Sequence, residues 1–183
     1  MSDEMVVRQC APTLAGLKTG SLFRCPYESK EQLASEVRRL NGIFVPKGLC
    51  LLPLHFGETH VLLYLYRPTR LHRDLQDNLA NELLTQAGYS CGSCGRCVAR
   101  LSRRLCECNE FPHEVGLFLS YPPEDVKGFI DNGAENYKLA GMWKVYGDEA
   151  RARKLFAQFK KCTDIYCELW RAGSGLEQLA VAV

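Results

Sequence analysis

The sequence lacks any apolar run close to the roughly 20 residues that a membrane-spanning helix requires. A basic segment followed by a long apolar one is also missing from the opening MSDEMVVRQC, which carries acidic side chains instead, so we expect no secretory leader. We therefore expect no membrane insertion and a cytoplasmic location. In that reducing compartment the ten cysteines favour packing, metal or redox roles over a disulfide framework.

Excess charge of one sign is nearly absent. Lysine and arginine number 23 against 21 aspartates and glutamates, which leaves a net charge of +2 and no whole-molecule field that would attract nucleic acid. The one basic stripe has no interleaved aromatic residues and is interpreted as a solvated helix face: Arg96, Arg100, Arg103 and Arg104. We expect a partner that is recognised locally, a small molecule or a protein, and not a nucleic acid.

Low-complexity segments and internal repeats are missing as well. The length of 183 residues and the hydrophobic fraction of 46% suit one domain with a substantial core rather than two domains. We therefore expect a single domain over residues 1–183.

Hydrophobic periodicity predicts several elements in the proximal half. After an irregular start, helical spacing of apolar residues predicts a helix at 29–40. Apolar runs at 49–56 and 60–67 predict an antiparallel hairpin, in which Pro53 would lie at a sheet edge or a bulge. Leucines at every fourth position predict a further helix over 69–87.

The distal half indicates alternating strands and helices. VGLFLSY (115–121) is typical of a buried strand, and the Pro-Pro-Glu-Asp that follows starts a helix. GMWKVY (141–146) predicts another strand, and residues 147–149 begin a long helix. A β-α-β crossover of this kind would make its strands parallel. The expected fold class is α+β: a single domain with a mixed sheet, an antiparallel hairpin, a β-α-β-α C-terminal half and helices packed on the sheet.

Several segments carry a family resemblance: CAPTLAGLKTGSLF (10–23), LLYLYRP (62–68), FPHEVGLFLSYPPEDVKGFI (111–130), NYKLAGMWKVYGDEARARKLFAQFKKCT (136–163) and GLEQLAVA (175–182). Together they resemble a bacterial family known as domain of unknown function 3793, over nearly the whole chain. Members are typically found in anaerobic bacteria, some in ferrous-iron uptake neighbourhoods, so the resemblance implies a link with iron or redox physiology. It implies no activity, ligand or catalytic residue.

The stretch CGSCGRC (91–97) departs from that family's pattern. Its cysteines at three-residue intervals, Cys91, Cys94 and Cys97, have the spacing of ligands in an iron-sulfur or zinc site. Cys25, which precedes a proline, could supply the fourth ligand. One alternative is therefore a cysteine-ligated metal or iron-sulfur protein.

We favour a packing role for these cysteines over a metal site. A helix from about Ser93 to Leu105 places Cys94 and Cys97 on an apolar face, with arginines on the opposite face. Reduced cysteine is small and habitually buried. The pattern therefore predicts that Cys94 and Cys97 are buried, that Cys91 lies in the preceding turn, and that no metal is bound.

The histidines offer a second alternative metal site. His55 and His60 flank the predicted hairpin turn, and His113 stands at the start of the distal half. With Glu58 or Glu114 they would form a plausible set of ligands for a divalent metal. This arrangement depends on the histidines coming together in the fold.

Aromatic and polar side chains gather in the family-like block, where we expect a ligand site. The candidate ligand-binding residues are His113, Tyr121, Lys144 and Tyr146, near the ends of the two predicted strands. The sequence shows no assembled nucleophile, base and oxyanion set and assigns no cofactor. We expect a non-enzymatic accessory module that binds a small ligand or a partner; the alternative is a metal- or thiol-dependent enzyme.

Overall fold

The structure, a computed structural model, describes residues 1–90, 92–107 and 111–182. The chain divides into two compact units. Unit 1 comprises Met1–Thr69 and Lys161–Val183, and unit 2 comprises Arg70–Lys160.

The described residues form short strands among many helices. In chain order the elements are α1 (Asp3–Leu14), β1 (Gly20–Pro26), α2 (Lys30–Phe44), a 3-10 turn (Val45–Lys47), β2 (Cys50–Phe56), β3 (His60–Tyr66), α3 (Pro68–Asp74), α4 (Asn78–Gln86), α5 (Cys94–Glu107), α6 (Val115–Phe118), α7 (Pro123–Asp131), β4 (Leu139–Ala140), β5 (Lys144–Val145), α8 (Glu149–Arg171) and α9 (Leu176–Leu179).

Unit 1 is built on an antiparallel sheet in the order β1-β3-β2. The β2–β3 register shifts between Pro53 and His55, which marks a bulge in an edge strand. Proline is tolerated at such positions because no ladder hydrogen bond is lost there. The predicted hairpin and the predicted position of Pro53 are both confirmed.

Helices α1, α2 and α9 pack with the sheet of unit 1 around one apolar core. Helix α2 begins where predicted, since the Ser29 hydroxyl accepts a hydrogen bond from the Gln32 amide at 3.1 Å. Its apolar stripe is buried and includes Leu33, Leu40 and Phe44. The helix predicted at 29–40 is confirmed and extends one turn further.

The expectation of an irregular start is wrong. Helix α1 is capped by Ser2 and buries Val6, Cys10 and Leu14, and strand β1 follows it. Pro12 lies inside the last turn of α1. Because proline normally breaks a helix interior, it obscured the helical pattern of this segment.

A buried arginine ties together separate parts of unit 1. The guanidinium of Arg67 donates to the carbonyl oxygens of Thr13 (2.9 Å), Leu14 (2.8 Å) and Val181 (2.8 Å). Arginine has five donors in a fixed planar arrangement, so one side chain can satisfy several chain ends at once. The end of α1 and the residues after α9 are thereby joined.

In unit 2 the helix predicted over 69–87 is interrupted. Helix α3 ends at Asp74, and α4 begins after Asp77, whose carboxylate accepts from the amides of Leu79 and Ala80 at 3.0 and 3.1 Å. This capping satisfies amides that a continuous helix would bond internally. The predicted stop is correct, because Gly88 has a φ of 78°.

The predicted strand at 115–121 is wrong, since Val115–Phe118 form the buried helical turn α6. Ser120 has a φ of 62°, and the Tyr121 amide bonds back to the Gly116 carbonyl at 3.0 Å. A short apolar run suits a buried strand and a buried helical turn equally well. The chain turn at Ser120 excludes an extended conformation here.

The predicted mixed sheet and its β-α-β crossover are also wrong. Strands β4 and β5 are two residues each and pair with each other, and every strand pair in the described residues is antiparallel. Without a strand at 115–121 there is no first strand for a crossover. The α+β class is confirmed.

Helix α1 also buries a thiol near an ammonium group in unit 1. Burial raises the pKa of Cys10 to about 12, and burial lowers the pKa of Lys18 to about 8. Each shift disfavours the charged form of the side chain, as expected for groups removed from water. Their mutual attraction partly offsets both shifts.

We predict a pH-dependent stability difference between the native chain and Lys18→Met. Between pH 8 and 10.5 folded Lys18 is largely neutral while unfolded lysine remains protonated, so unfolding takes up a proton and stability rises with pH. The unfolding free energy of the native chain minus that of the variant should rise between pH 7 and 9 by about 1 kcal/mol. Urea denaturation at several pH values measures it, with Lys161→Met on exposed helix surface as control. A difference that is flat or falls with pH would contradict the prediction.

Candidate functional site

Unit 2 contains a cavity of about 370 Å³ formed by α6, α7 and the β4–β5 hairpin. Most of its lining residues are aromatic or aliphatic, and few carry polar groups. They are Phe111, His113, Val115, Gly116, Tyr121, Asp125, Val126, Phe129, Ala140, Gly141, Trp143 and Lys144. The volume lies at the lower end of the range of about 300–1,000 Å³ that is usual for small-molecule sites.

A cluster of three aromatic rings supports one wall, of which Tyr121 and Trp143 line the cavity. Tyr121 stacks on Trp143 with ring centroids 4.7 Å apart and ring planes inclined by 26°, and Trp143 meets Phe156 edge to face at 4.4 Å. Trp143 is only 8% exposed. Such pairs contribute stability beyond simple burial, so this wall has a defined geometry.

Two glycines allow this close packing. A Cβ at Gly116 would lie 2.8 Å from Val126 Cγ2 and 2.9 Å from Tyr121 Cδ2, and a Cβ at Gly141 would overlap the Phe156 ring. Real Cβ atoms essentially never approach that closely. The backbone at both positions therefore has to be glycine for the rings to meet.

The carboxylate of Asp125 organises the hairpin side of the cavity. Asp125 is 3% exposed. Its Oδ2 accepts from Trp143 Nε1 at 2.7 Å, and its Oδ1 accepts from the amides of Tyr146 at 2.8 Å and Gly147 at 2.7 Å. A buried carboxylate is tolerated only when its oxygens are bonded in this way. Asp125 thus fixes both the indole and the chain after β5 to helix α7.

Lys144 contributes a positive charge to the cavity wall. Its Nζ donates to the carbonyl of Ala134 at 2.6 Å. The same ammonium lies 4.6 Å from the centroid of the Tyr137 ring and 6.0 Å from that of Phe129. Ring faces and a carbonyl attract a cation without neutralising it.

His113 packs edge to face with Phe129, with ring centroids 4.9 Å apart. The next residue, Glu114, does not serve His113: its carboxylate is buried, accepts from the Tyr89 hydroxyl at 2.9 Å and pairs with Arg104 Nε at 2.5 Å. Burial, with the negative charge of Glu114 in second place, raises the pKa of Tyr89. Glu114 therefore joins α5 to the turn before α6.

Three of the four candidate ligand-binding residues line this cavity together: His113, Tyr121 and Lys144. Tyr146 is not among the lining residues; its ring packs where a side chain at Gly128 would stand. The reason is the length of strand β5, which ends at Val145, so Tyr146 already belongs to the segment that Asp125 binds.

Asp125 and Phe129 are cavity residues that sequence reasoning missed. Asp125 has the position of an ordinary first-turn acid of α7, and its spacing to Phe129 shows only that the two share a helix face. The one sequence feature that could have indicated them is this four-residue spacing, which lies close to the aromatic residues of the family-like block. Nothing local distinguishes a buried aspartate from a solvated one.

Helix α5 carries the cysteine-rich segment, and the helix predicted from Ser93 to Leu105 is confirmed as Cys94–Glu107. Cys97 is buried, at 2% exposure, whereas Cys94 is only half-buried. The prediction of a buried Cys94 is therefore wrong, because this residue lies in the first turn of the helix, away from the core contacts of the later turns. Cys91 lies outside the described residues.

Neither alternative set of metal ligands forms a recognisable metal site among the described residues. His55 and His60 lie on β2 and β3 of unit 1, as Cys25 lies on β1, whereas His113, Cys94 and Cys97 belong to unit 2. Within residues 1–90, 92–107 and 111–182, no group of three or more His, Cys, Asp or Glu side chains has a geometry that could hold a metal ion.

The fold and the cavity define an α+β protein with a small aromatic pocket built on helices and one short hairpin. The chain belongs to the family described as a protein of unknown function, DUF3793, whose family model matches residues 6–180 and so runs through both units. No curated protein and no solved structure matches the chain. Among the helices of the described residues, none is long and apolar enough to cross a membrane.

We predict that Asp125→Asn destabilises the protein by about 2–3 kcal/mol, because the amide presents a donor to one of the three N–H groups and leaves it unpaired. Urea denaturation measures the loss, and near-ultraviolet circular dichroism reports the surroundings of Trp143. Asp131→Asn is the matched control on the same helix: Asp131 is 52% exposed and pairs with Lys127. Its cost should be below about 0.5 kcal/mol, and equal costs for the two variants would refute the role given to Asp125.

We predict that Cys97→Ala lowers the unfolding free energy by about 1 kcal/mol through lost packing, without changing metal content or visible absorption. Cys106→Ala, at an exposed position of the same helix, should have little effect on stability. Elemental analysis and spectra of anaerobically purified protein accompany the denaturation curves. Metal in the native chain that disappears in Cys97→Ala would replace the packing account with a metal site.

Proposed function

We propose that this protein is a non-enzymatic accessory module that binds a small ligand in the cavity of unit 2. The observation that carries the proposal is the cavity itself: an apolar, aromatic wall with two polar side chains, His113 and Lys144, exposed to it. Concave apolar sites with a few convergent polar groups are the usual form of small-molecule sites.

Preorganisation supports a binding role. The Tyr121–Trp143–Phe156 stack and the three hydrogen bonds to Asp125 hold the cavity wall in place before any ligand arrives. A ligand that enters a prebuilt site does not have to order side chains, and this lowers the free-energy cost of binding.

The hydrogen bonds that Asp125 and Glu114 already accept favour a binding role over a catalytic one. A general base must lie within hydrogen-bond reach of the proton that it removes. Both oxygens of Asp125 already accept hydrogen bonds from the protein, and Glu114 is occupied by Tyr89 and Arg104. These carboxylates support the wall rather than face a substrate.

We propose in addition that the protein is bacterial and cytoplasmic and that it has a role linked to iron or redox physiology. A reducing compartment would keep the ten cysteines of the chain as thiols. The link to iron or redox physiology comes from the family resemblance alone. It does not identify any residue as a ligand or a catalytic group. If the protein also has a protein partner, we propose that the cavity still binds the small ligand.

Blocking the cavity tests the proposal. Ala140 is exposed at the hairpin and lines the cavity, so Ala140→Phe should fill its mouth without disturbing the core. Three naphthalene probes, 2-naphthamide, 2-naphthoate and 2-naphthylmethylamine, are titrated by calorimetry and by thermal shift against the full chain. At about 100 times its dissociation constant a probe should add roughly 2.7 kcal/mol of stability.

We expect at least one probe to bind the native chain, and its affinity should fall at least about tenfold in Ala140→Phe. Ala157→Phe, on the exposed surface of α8, controls for an added phenylalanine and should bind as the native chain does. Failure of all three probes to bind, or equal binding to Ala140→Phe, would overturn the proposal.

A further inference from the structure

We infer that the ligand of this cavity is a planar aromatic molecule carrying a negatively charged group, with Lys144 as the residue that recognises the charge. The inference rests on the proposed function and specifies the chemical class of the ligand. It follows from the state of the charges around the cavity and from the arrangement of its rings.

Lys144 brings a positive charge to the cavity that has no counter-ion among residues 1–90, 92–107 and 111–182. Its ammonium donates to one backbone carbonyl and lies against neutral rings, and among the described residues no carboxylate forms an ion pair with it. Lys127, on α7, differs in this respect because it pairs with Asp131 at 2.5 Å. An ammonium group has three donors, so Lys144 can bind a ligand anion while keeping its bond to Ala134.

Asp125 is a negatively charged residue that also lines the cavity, so it could in principle attract a cationic ligand. It is 3% exposed, and three N–H groups point at its oxygens. Those donors stabilise the carboxylate and leave it little capacity to bind a ligand cation. Among the described residues that line the cavity, the accessible charge is therefore that of Lys144.

The rings do not form a cage for a ligand cation. Trp143 has Tyr121 against one face and the Phe156 ring beside it, so it offers little free face. Lys144 itself already lies over Phe129 and Tyr137, the positions that a ligand cation would need. Like charges that close repel each other, so a cationic ligand is disfavoured.

A planar ligand fits the remaining surface. Phe111 lines the cavity and is 52% exposed, so its ring offers a flat apolar surface at which another ring can pack in offset or edge-to-face geometry. His113 lies against Phe129 on the same wall. Its imidazole carries a ring N–H whether neutral or protonated, so it can supply a second hydrogen bond to an anionic group.

The three naphthalene probes share one ring system and carry a negative, a neutral or a positive substituent, and so test the inference. We expect the native chain to bind 2-naphthoate about tenfold more tightly than 2-naphthamide, and 2-naphthylmethylamine most weakly, because only the anion forms a charge-assisted bond with Lys144. In Lys144→Met the affinities for the acid and the amide should become equal. Lys144→Arg, which keeps the charge, should retain a preference for the acid.

Lys127→Met is the control for the loss of one positive charge, since Lys127 is paired with Asp131 and does not line the cavity. It should keep the preference for the acid. Equal affinities of the native chain for all three probes, tighter binding of the amine, or an acid preference that survives in Lys144→Met would overturn the inference while leaving the proposed binding function intact. If no probe binds at all, the proposed function fails and the inference fails with it.

Discussion

The hydrogen-bonded carboxylate of Asp125 is the constraint on which the cavity of unit 2 depends. One buried side chain on α7 accepts from the Trp143 indole and from two amides beyond β5, groups 18 to 22 residues away in sequence. A two-residue strand pair contributes too few ladder bonds to position a hairpin by itself. The carboxylate supplies the missing constraint and sets the distance between the hairpin and the helix.

The aromatic wall follows from that constraint. With its indole nitrogen bonded to Asp125, Trp143 can stack on Tyr121 and meet Phe156 only because Gly116 and Gly141 leave room for the rings. Lys144, the next residue along β5, then extends over Phe129 and Tyr137. The same few contacts therefore determine where the cavity wall lies, how rigid it is and where the charge of Lys144 is placed.

Sequence reasoning succeeded where the signal was local and failed where burial decided. The start of the helix predicted at 29–40, the end of the helix predicted over 69–87 and the bulge near Pro53 depend on backbone preferences within a few residues. The segment 115–121 is uniformly apolar, so its pattern could not separate a strand from a helical turn. Three cavity residues were predicted from the clustering of aromatic and polar side chains in one block.

The sequence by itself determined the α+β class, the hairpin and most helix starts, because capping, turn residues and periodicity act over short stretches of chain. The family followed from the resemblance of whole segments. Only the tertiary structure decided which side chains share the cavity. Asp125 and Asp131 look alike on one helix, yet one is buried with three donors and the other is half exposed. That difference depends on groups distant in sequence that folding brings to Asp125, and local patterns carry no information about such partners.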